Sequence, residues 1–347
     1  MGPGLRVAYV NKNMDVSYEA KKKRARALRE TVEREQRKLQ EAERETLRLF
    51  PKEEDQRKQR HAEHLKKLQQ ESLRELEKLL KYRFGDKQGS CYFSSVDVRD
   101  MHGSDSGIRI GILGPTGSGK SSFINTCERA IKLTTRGSCK TQIRGAEDTI
   151  LVEDYLDDIE GCKFRLVDIR TPGFFGYSAH FHMHNAHVSE SDIAISNIMY
   201  GRIRPSQIID FTERADELSD SWDSDFPHWL HAVIFVLSVR DPRLLSGTHM
   251  INLNVIREFI RSRGMDPVCV LTHVDQVRDE SQLDLIKTKA SAATGSDPSH
   301  VYFIENYHPD HNERDFNIEL RAMEILNSAL MVGERYVRIH KRLVKLG

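Results

Sequence analysis

From Ile108 onward, short and mostly apolar runs alternate with amphipathic segments. The runs are Ile108–Leu113, Ile150–Asp154, Phe164–Asp168, Ala232–Ser238, Val268–Thr272 and Val301–Ile304. Several are apolar at nearly every position, as strands buried on both faces are, and helical patterns follow most of them. This texture predicts βα units around a mainly parallel sheet, an α/β fold.

The chain before it is patterned differently. Leu28, Val32, Leu39, Ala42 and Leu49 recur at spacings of four, seven, three and seven. That is a thin a/d seam on a charged helix. Leu65, Leu68, Leu76 and Leu79 continue a similar stripe. Pro51, followed by Lys52-Glu53-Glu54, reads as the end of one helix and the first turn of the next. A helical hairpin or a kinked long helix would result. No internal repeat is visible.

Charge separates the two regions. Residues 19–83 carry 21 Lys/Arg against 14 Asp/Glu, net +7, with no glycine and Pro51 as the only proline. The stretch is either a solvated helix lying along the globular domain or a coiled coil that pairs with a protein partner or with itself. Lys21-Lys22-Lys23-Arg24 with Arg26 could touch phosphates or anionic lipid, or form a solvated helix face. The expected organisation is a flexible N-terminus over 1–18, the charged helical arm over 19–83, and a linker with an entry strand over 84–106. A nucleotide-binding domain over 107–332 and a basic amphipathic helix over 333–347 follow. In that last helix Val337, Ile339, Leu343 and Val344 are expected to pack on the domain or the N-terminal helices; membrane-surface contact is the alternative.

Whole-chain composition excludes several classes. Of 347 residues, 38% are hydrophobic and 30% charged, and the net charge of +1 makes no case for nucleic acid. The five cysteines are odd in number, scattered and without a Cys-x-x-Cys pair. They point to a reducing compartment, hence the cytoplasm. No apolar leader opens the chain, and no run approaches the roughly 20 apolar residues of a membrane span.

Gly114-Pro115-Thr116-Gly117-Ser118-Gly119-Lys120-Ser121 fits G-x-x-x-x-G-K-[ST] at every fixed position. A strand candidate leads in, and Ser122 opens a helix leading out. Glycines let backbone wrap closely around phosphate oxygens, and loop amides with the helix N-terminus present aligned donors to negative charge. Gly114 through Ser122 are the expected phosphate contacts. Lys120 would reach the β- and γ-phosphates, and Ser121 would hold magnesium.

The base is decided further on. Val268-Cys269-Val270-Leu271 runs into Thr272-His273-Val274-Asp275. In Ras-like GTPases this place holds Asn/Thr-Lys-x-Asp, whose aspartate accepts both donors of the guanine edge. Adenine lacks that donor pair and would leave the carboxylate unpaired. Thr272, His273 and Asp275 are therefore expected at the base, with Asn306 from the loop after the last strand. A helix N-cap is the other reading of Asp275.

Phe164-Arg165-Leu166-Val167-Asp168-Ile169-Arg170-Thr171-Pro172-Gly173 resembles a strand-to-switch segment ending Asp-Thr-Pro-Gly, with Ile169 and Arg170 inserted. For Asp168 to reach the magnesium shell the loop must bulge by two residues; the Gly173 amide would then meet the γ-phosphate. Otherwise Arg170 stands where the shell needs a carboxylate. No glutamine follows Gly173, so slow or negligible hydrolysis is expected unless a partner supplies a group in trans. Thr141 is the expected switch threonine on magnesium. His180, His182, His184 and His187 invite a metal reading, but their spacing does not suit one helical face. The 176–229 segment reads as an insertion without nameable chemistry.

Together, the P-loop, Asn197-Ile198-Met199-Tyr200-Gly201-Arg202-Ile203-Arg204-Pro205, His231-Ala-Val-Ile-Phe-Val-Leu, Leu271-Thr-His-Val-Asp275 and Glu305-Asn306-Tyr307 resemble the G domain of the interferon-induced protein 44 family. The Leu-Thr-His-Val-Asp string carries most of the likeness. The resemblance covers about Arg109 to Tyr307. It implies a Ras-like P-loop fold, binding of GTP or GDP with magnesium, a cytoplasmic place and a part in interferon-linked antiviral defence. Larger members carry a TLDc-type domain at the N-terminus where this chain has charged helix.

Three alternatives stay open beside a GTP-dependent switch. They are a GTPase that assembles through its helices, an ATP-using P-loop enzyme, and a pseudo-GTPase scaffold acting through the arm.

Overall fold

The computed structural model describes residues 51–83, 107–140, 149–159, 162–170, 190–203, 208–210, 225–277, 279–308 and 313–346, with helical positions at 34, 37, 38, 41 and 44. The expected entry strand at 92–98, Thr141, Gly173 and the four histidines of 180–187 lie outside them. The chain divides into two compact units, Met1–Lys67 and Leu68–Gly347.

Helix α1, Pro51–Leu80, opens at the proline as the sequence predicts. Pro suits a first helical position because its missing N–H has no partner there anyway. Within the first unit every described side chain from Asp55 to Lys67 is exposed, Leu65 included. Within the second unit the pattern changes: Ser72, Leu76, Leu79 and Tyr82 are buried. Their spacing of four, three and three is one helical face. Residues 68–83, read from sequence as the end of the arm, therefore pack into the second unit.

Among the described residues the sheet has seven strands, in the order β4-β2-β3-β1-β5-β6-β7. They are β1 Ile108–Leu113, β2 Thr149–Tyr155, β3 Phe164–Arg170, β4 Ile208–Asp210, β5 Ala232–Ser238, β6 Val268–Thr272 and β7 Val301–Phe303. β3, β1, β5, β6 and β7 run parallel, β2 is antiparallel to β3, and β4 is antiparallel to β2. β4 has no counterpart among the predicted strands, because three residues carry too little periodicity.

The remaining helices are α2 Lys120–Lys132, α3 Glu190–Met199, α4 Pro242–Ser246, α5 Thr248–Asn252, α6 Asn254–Ser262, α7 Leu283–Thr294 and α8 Phe316–Leu346. Side chains alternate across the sheet with a period of two, which makes two cores. Ile108, Ile110, Ile112, Ile234, Val236, Val268 and Val270 pack with α2, α8 and the end of α1. Val167, Ile169, Val233, Phe235, Cys269 and Leu271 pack with α3, α6 and α7. Hence the central strands are apolar throughout.

The expected separate helix at 333–347 is not a separate element. It is the end of the 31-residue α8, which no proline or capping glycine interrupts. Val337 is buried there as predicted, while Leu343 is exposed. The end of α1 is tied to α8 by Ser72 Oγ donating to Glu319 at 3.0 Å and Tyr82 Oη donating to Glu334 at 2.6 Å. No described helix is long and apolar enough to cross a membrane.

Candidate functional site

The chain steps from β1 toward β3 on one side and toward β5 on the other, so the strand order reverses at β1. In open α/β sheets a crevice forms at that point, outside the carboxyl ends of the strands. The glycine-rich segment 114–119 starts there and leads into α2. Gly117 and Gly119 sit at φ 79° and 88°, conformations that side chains rarely adopt. At Gly114 a Cβ would lie 2.1 Å from the Val236 carbonyl, so no side chain fits between loop and β5.

Lys120 folds back over this loop. Its Nζ donates to the carbonyls of Gly114 at 2.7 Å and Pro115 at 3.0 Å. Burial pushes its ammonium down to about 8, with Asp168 opposing and Arg170 adding to the shift. The Ser118 hydroxyl is buried and has no partner among the described residues.

The strand end at Thr272 is stitched to the loop across 154 positions of sequence. Its hydroxyl donates to the Ser118 carbonyl at 2.7 Å and reaches the Leu237 carbonyl at 3.3 Å. With that proton committed, the 2.9 Å contact to His273 makes the ring Nδ1–H the donor to Thr272. Ser238 Oγ lies 3.0 Å from the same nitrogen. His273 takes a left-handed turn at φ 60° that lets the ring fold back onto both strand ends. Burial, helped by Arg240, holds its imidazole below the usual value, so it is neutral near pH 7.

Asp275 follows in a turn over Val274–Gln276 and is exposed. It makes no hydrogen bond among the described residues. Capping of the next turn falls to Asp279, whose carboxylate accepts from the Ser281 amide. The N-cap reading of Asp275 therefore fails. Asn306 reaches the other side of the loop, with Nδ2 3.5 Å from the Gly119 carbonyl and a buried Oδ1 that has no partner among the described residues. A cleft of about 550 Å³ opens between Thr116–Ser118, Ser238, Arg240–Arg243 and His273.

The segment after α2 is fastened to the same site. Asn125 exchanges two hydrogen bonds with the Cys139 backbone, at 2.8 and 2.9 Å. Glu128 accepts from the Ser138 amide and hydroxyl. These ties bring Cys139 beside Asp168. Sequence reasoning missed them, although Asn125 and Glu128 stand three apart on one helix face.

Asp168 does not sit in a bulge. β3 pairs regularly through Arg170: Glu153 faces Asp168, Val152 faces Ile169 and Leu151 faces Arg170. On the other edge Asp168 is in register with Ile112. The expected two-residue bulge is therefore absent between Asp168 and Arg170. Instead the two side chains share one strand face, and Arg170 Nε donates to Asp168 at 2.8 Å. Arg170 also reaches Glu153 at 3.3 Å and the Lys140 carbonyl at 3.3 Å.

This arrangement does not fit magnesium. A divalent ion about 4 Å from that guanidinium would feel a repulsion on the order of 8 kcal/mol at an effective dielectric constant near 20, which offsets the pull of the carboxylate. Asp168 Oδ1 is buried, with no hydrogen-bond partner among the described residues. No group of three metal-ligating side chains occurs among the described residues.

No protein-family model matches this chain, and no curated protein matches it.

Proposed function

We propose that this chain binds guanine nucleotides, with phosphates on the Gly114–Ser122 loop and the base against Asp275. The observation that carries the reading is the Thr272–Ser118 hydrogen bond. It joins the loop and the Thr-His-x-Asp turn into one site, so a ligand lying on the loop can reach the turn. Lys120, held on loop carbonyls, is positioned to turn onto phosphate oxygens. The exposed and uncapped Asp275 is free to accept both donors of a guanine edge. The resemblance to the interferon-induced 44 family adds a cytoplasmic antiviral setting to the proposal. The part of the charged arm ahead of Leu68 is its proposed partner or self-association surface.

A second reading, the pseudo-GTPase scaffold, is favoured by one observation. Arg170 occupies the carboxylate that GTP hydrolysis would use. It predicts nucleotide binding with no measurable turnover.

Calorimetry with GTP, GDP and ATP on the native chain and on Asp275→Asn tests the proposal. GTP and GDP bind and ATP does not, and the substitution weakens guanine binding by about 100-fold or more, because a hydrogen-bonding site rejects a mismatched edge strongly. Equal binding of ATP and GTP would sink the base assignment.

A further inference from the structure

Asp168, the carboxylate expected in a magnesium shell, and two neighbouring groups, Glu153 and Cys139, all contact Arg170. Asp168 is fully buried and its Oδ2 accepts from Arg170. Glu153, its neighbour across the β2–β3 pair, accepts from both Arg170 and the Tyr155 hydroxyl, the latter at 2.8 Å. Cys139 lies 3.6 Å from Arg170 Nη2 and 3.8 Å from Asp168. Arg170 thus stands at the centre of both carboxylates, with only 15% of its side chain exposed. The register of β3 fixes it there, since residues two apart on a strand share a face.

Magnesium dehydrates reluctantly and keeps several waters, so it needs carboxylates reachable through solvent. Here the guanidinium fills that space with a permanent positive charge. We infer that this chain binds its guanine nucleotide without a divalent cation, Arg170 holding closed the carboxylates that a hydrated ion would need. The inference rests on the guanine-nucleotide reading above. Lys120, the loop amides and the positive end of α2 then balance the phosphate charge by themselves.

Titrating the full chain with GTP in excess magnesium chloride and in excess EDTA tests this. The two affinities agree within about fivefold, about 1 kcal/mol. Tight binding in magnesium with a larger loss in EDTA overturns this inference alone. Failure to bind in either buffer overturns the guanine-nucleotide reading and this inference with it. Arg170→Gln opens Asp168, and its GTP affinity becomes magnesium-dependent by about tenfold or more. Arg170→Lys keeps the charge and stays indifferent to magnesium. An Arg170→Gln chain that melts cooperatively yet ignores magnesium also overturns the inference. Should that variant not fold, the native and Arg170→Lys titrations decide.

Discussion

Replacing Thr272 by valine removes one hydroxyl and keeps the shape of a side chain that is fully buried. The Ser118 carbonyl loses its donor at 2.7 Å, and the His273 Nδ1–H loses its acceptor at 2.9 Å. Leaving a buried polar group unsatisfied costs about 1–3 kcal/mol. Ser238 lies near enough to take over the imidazole, so the Ser118 carbonyl dominates the loss. For a unit of this size each kcal/mol lowers the melting temperature by roughly 2–4 °C, which makes the expected drop about 2–12 °C. The second consequence falls on the ligand. If the loop binds the phosphates of a guanine nucleotide as proposed, the stitch pre-organises it, and GTP affinity falls by about 5- to 150-fold, the same free energy read as an equilibrium constant. Differential scanning fluorimetry reads the first effect and calorimetry the second. A melting temperature lowered as expected with GTP affinity unchanged would refute the idea that Thr272 pre-organises the site. An unchanged melting temperature would refute the hydrogen bond itself.

Two further predictions concern other parts of the fold. Leu79→Ala empties a site that is 2% exposed between α1 and α8, and costs about 2–5 kcal/mol in urea unfolding; a loss under about 1 kcal/mol would mean residues 68–83 do not dock as described. His249 is fully buried, and desolvation lowers its pKa from the ordinary 6.5 despite Asp241 at 3.1 Å, with Arg243 adding to the shift. Its folded pKa lies below the unfolded one, so the stability it holds is present above about 6.5 and lost as pH falls below that, by at most about 1.4 kcal/mol per pH unit. Denaturant unfolding between about pH 7.5 and about pH 5, spanning the ordinary imidazole range, shows a flatter slope in His249→Gln; equal slopes would refute it.

The central architecture was legible because its cause is local. β1, β5 and β6 are buried on both faces, and that leaves apolar runs that any reading finds. The glycine-rich loop was legible for a related reason: positive φ and the Val236 carbonyl 2.1 Å from a Cβ position both demand glycine where the sequence has it. Pro51 marked the start of α1 through a missing N–H.

What the arm does after Lys67 was not legible. Leu65 and Leu76 repeat the same stripe, yet one is 41% exposed and the other 5%. A helical period says which face is apolar, and only the presence of α8 decides which part of that face is covered. The same holds for α8, whose unbroken length depends on packing against β1 and β5 rather than on any capping signal.

For the site, residue types and spacing alone named Lys120, Asp275 and Thr272. Tertiary structure decided that Thr272 meets Ser118 from 154 positions away. It also decided the fate of Asp168. The sequence Asp168-Ile169-Arg170 allowed either a bulge or a regular strand. Pairing with β2 through Arg170 requires the strand, because a bulge at Ile169 and Arg170 would break that ladder, while β1 fixes β3 up to Asp168. Once the strand is regular, the period of two puts the guanidinium on the carboxylate.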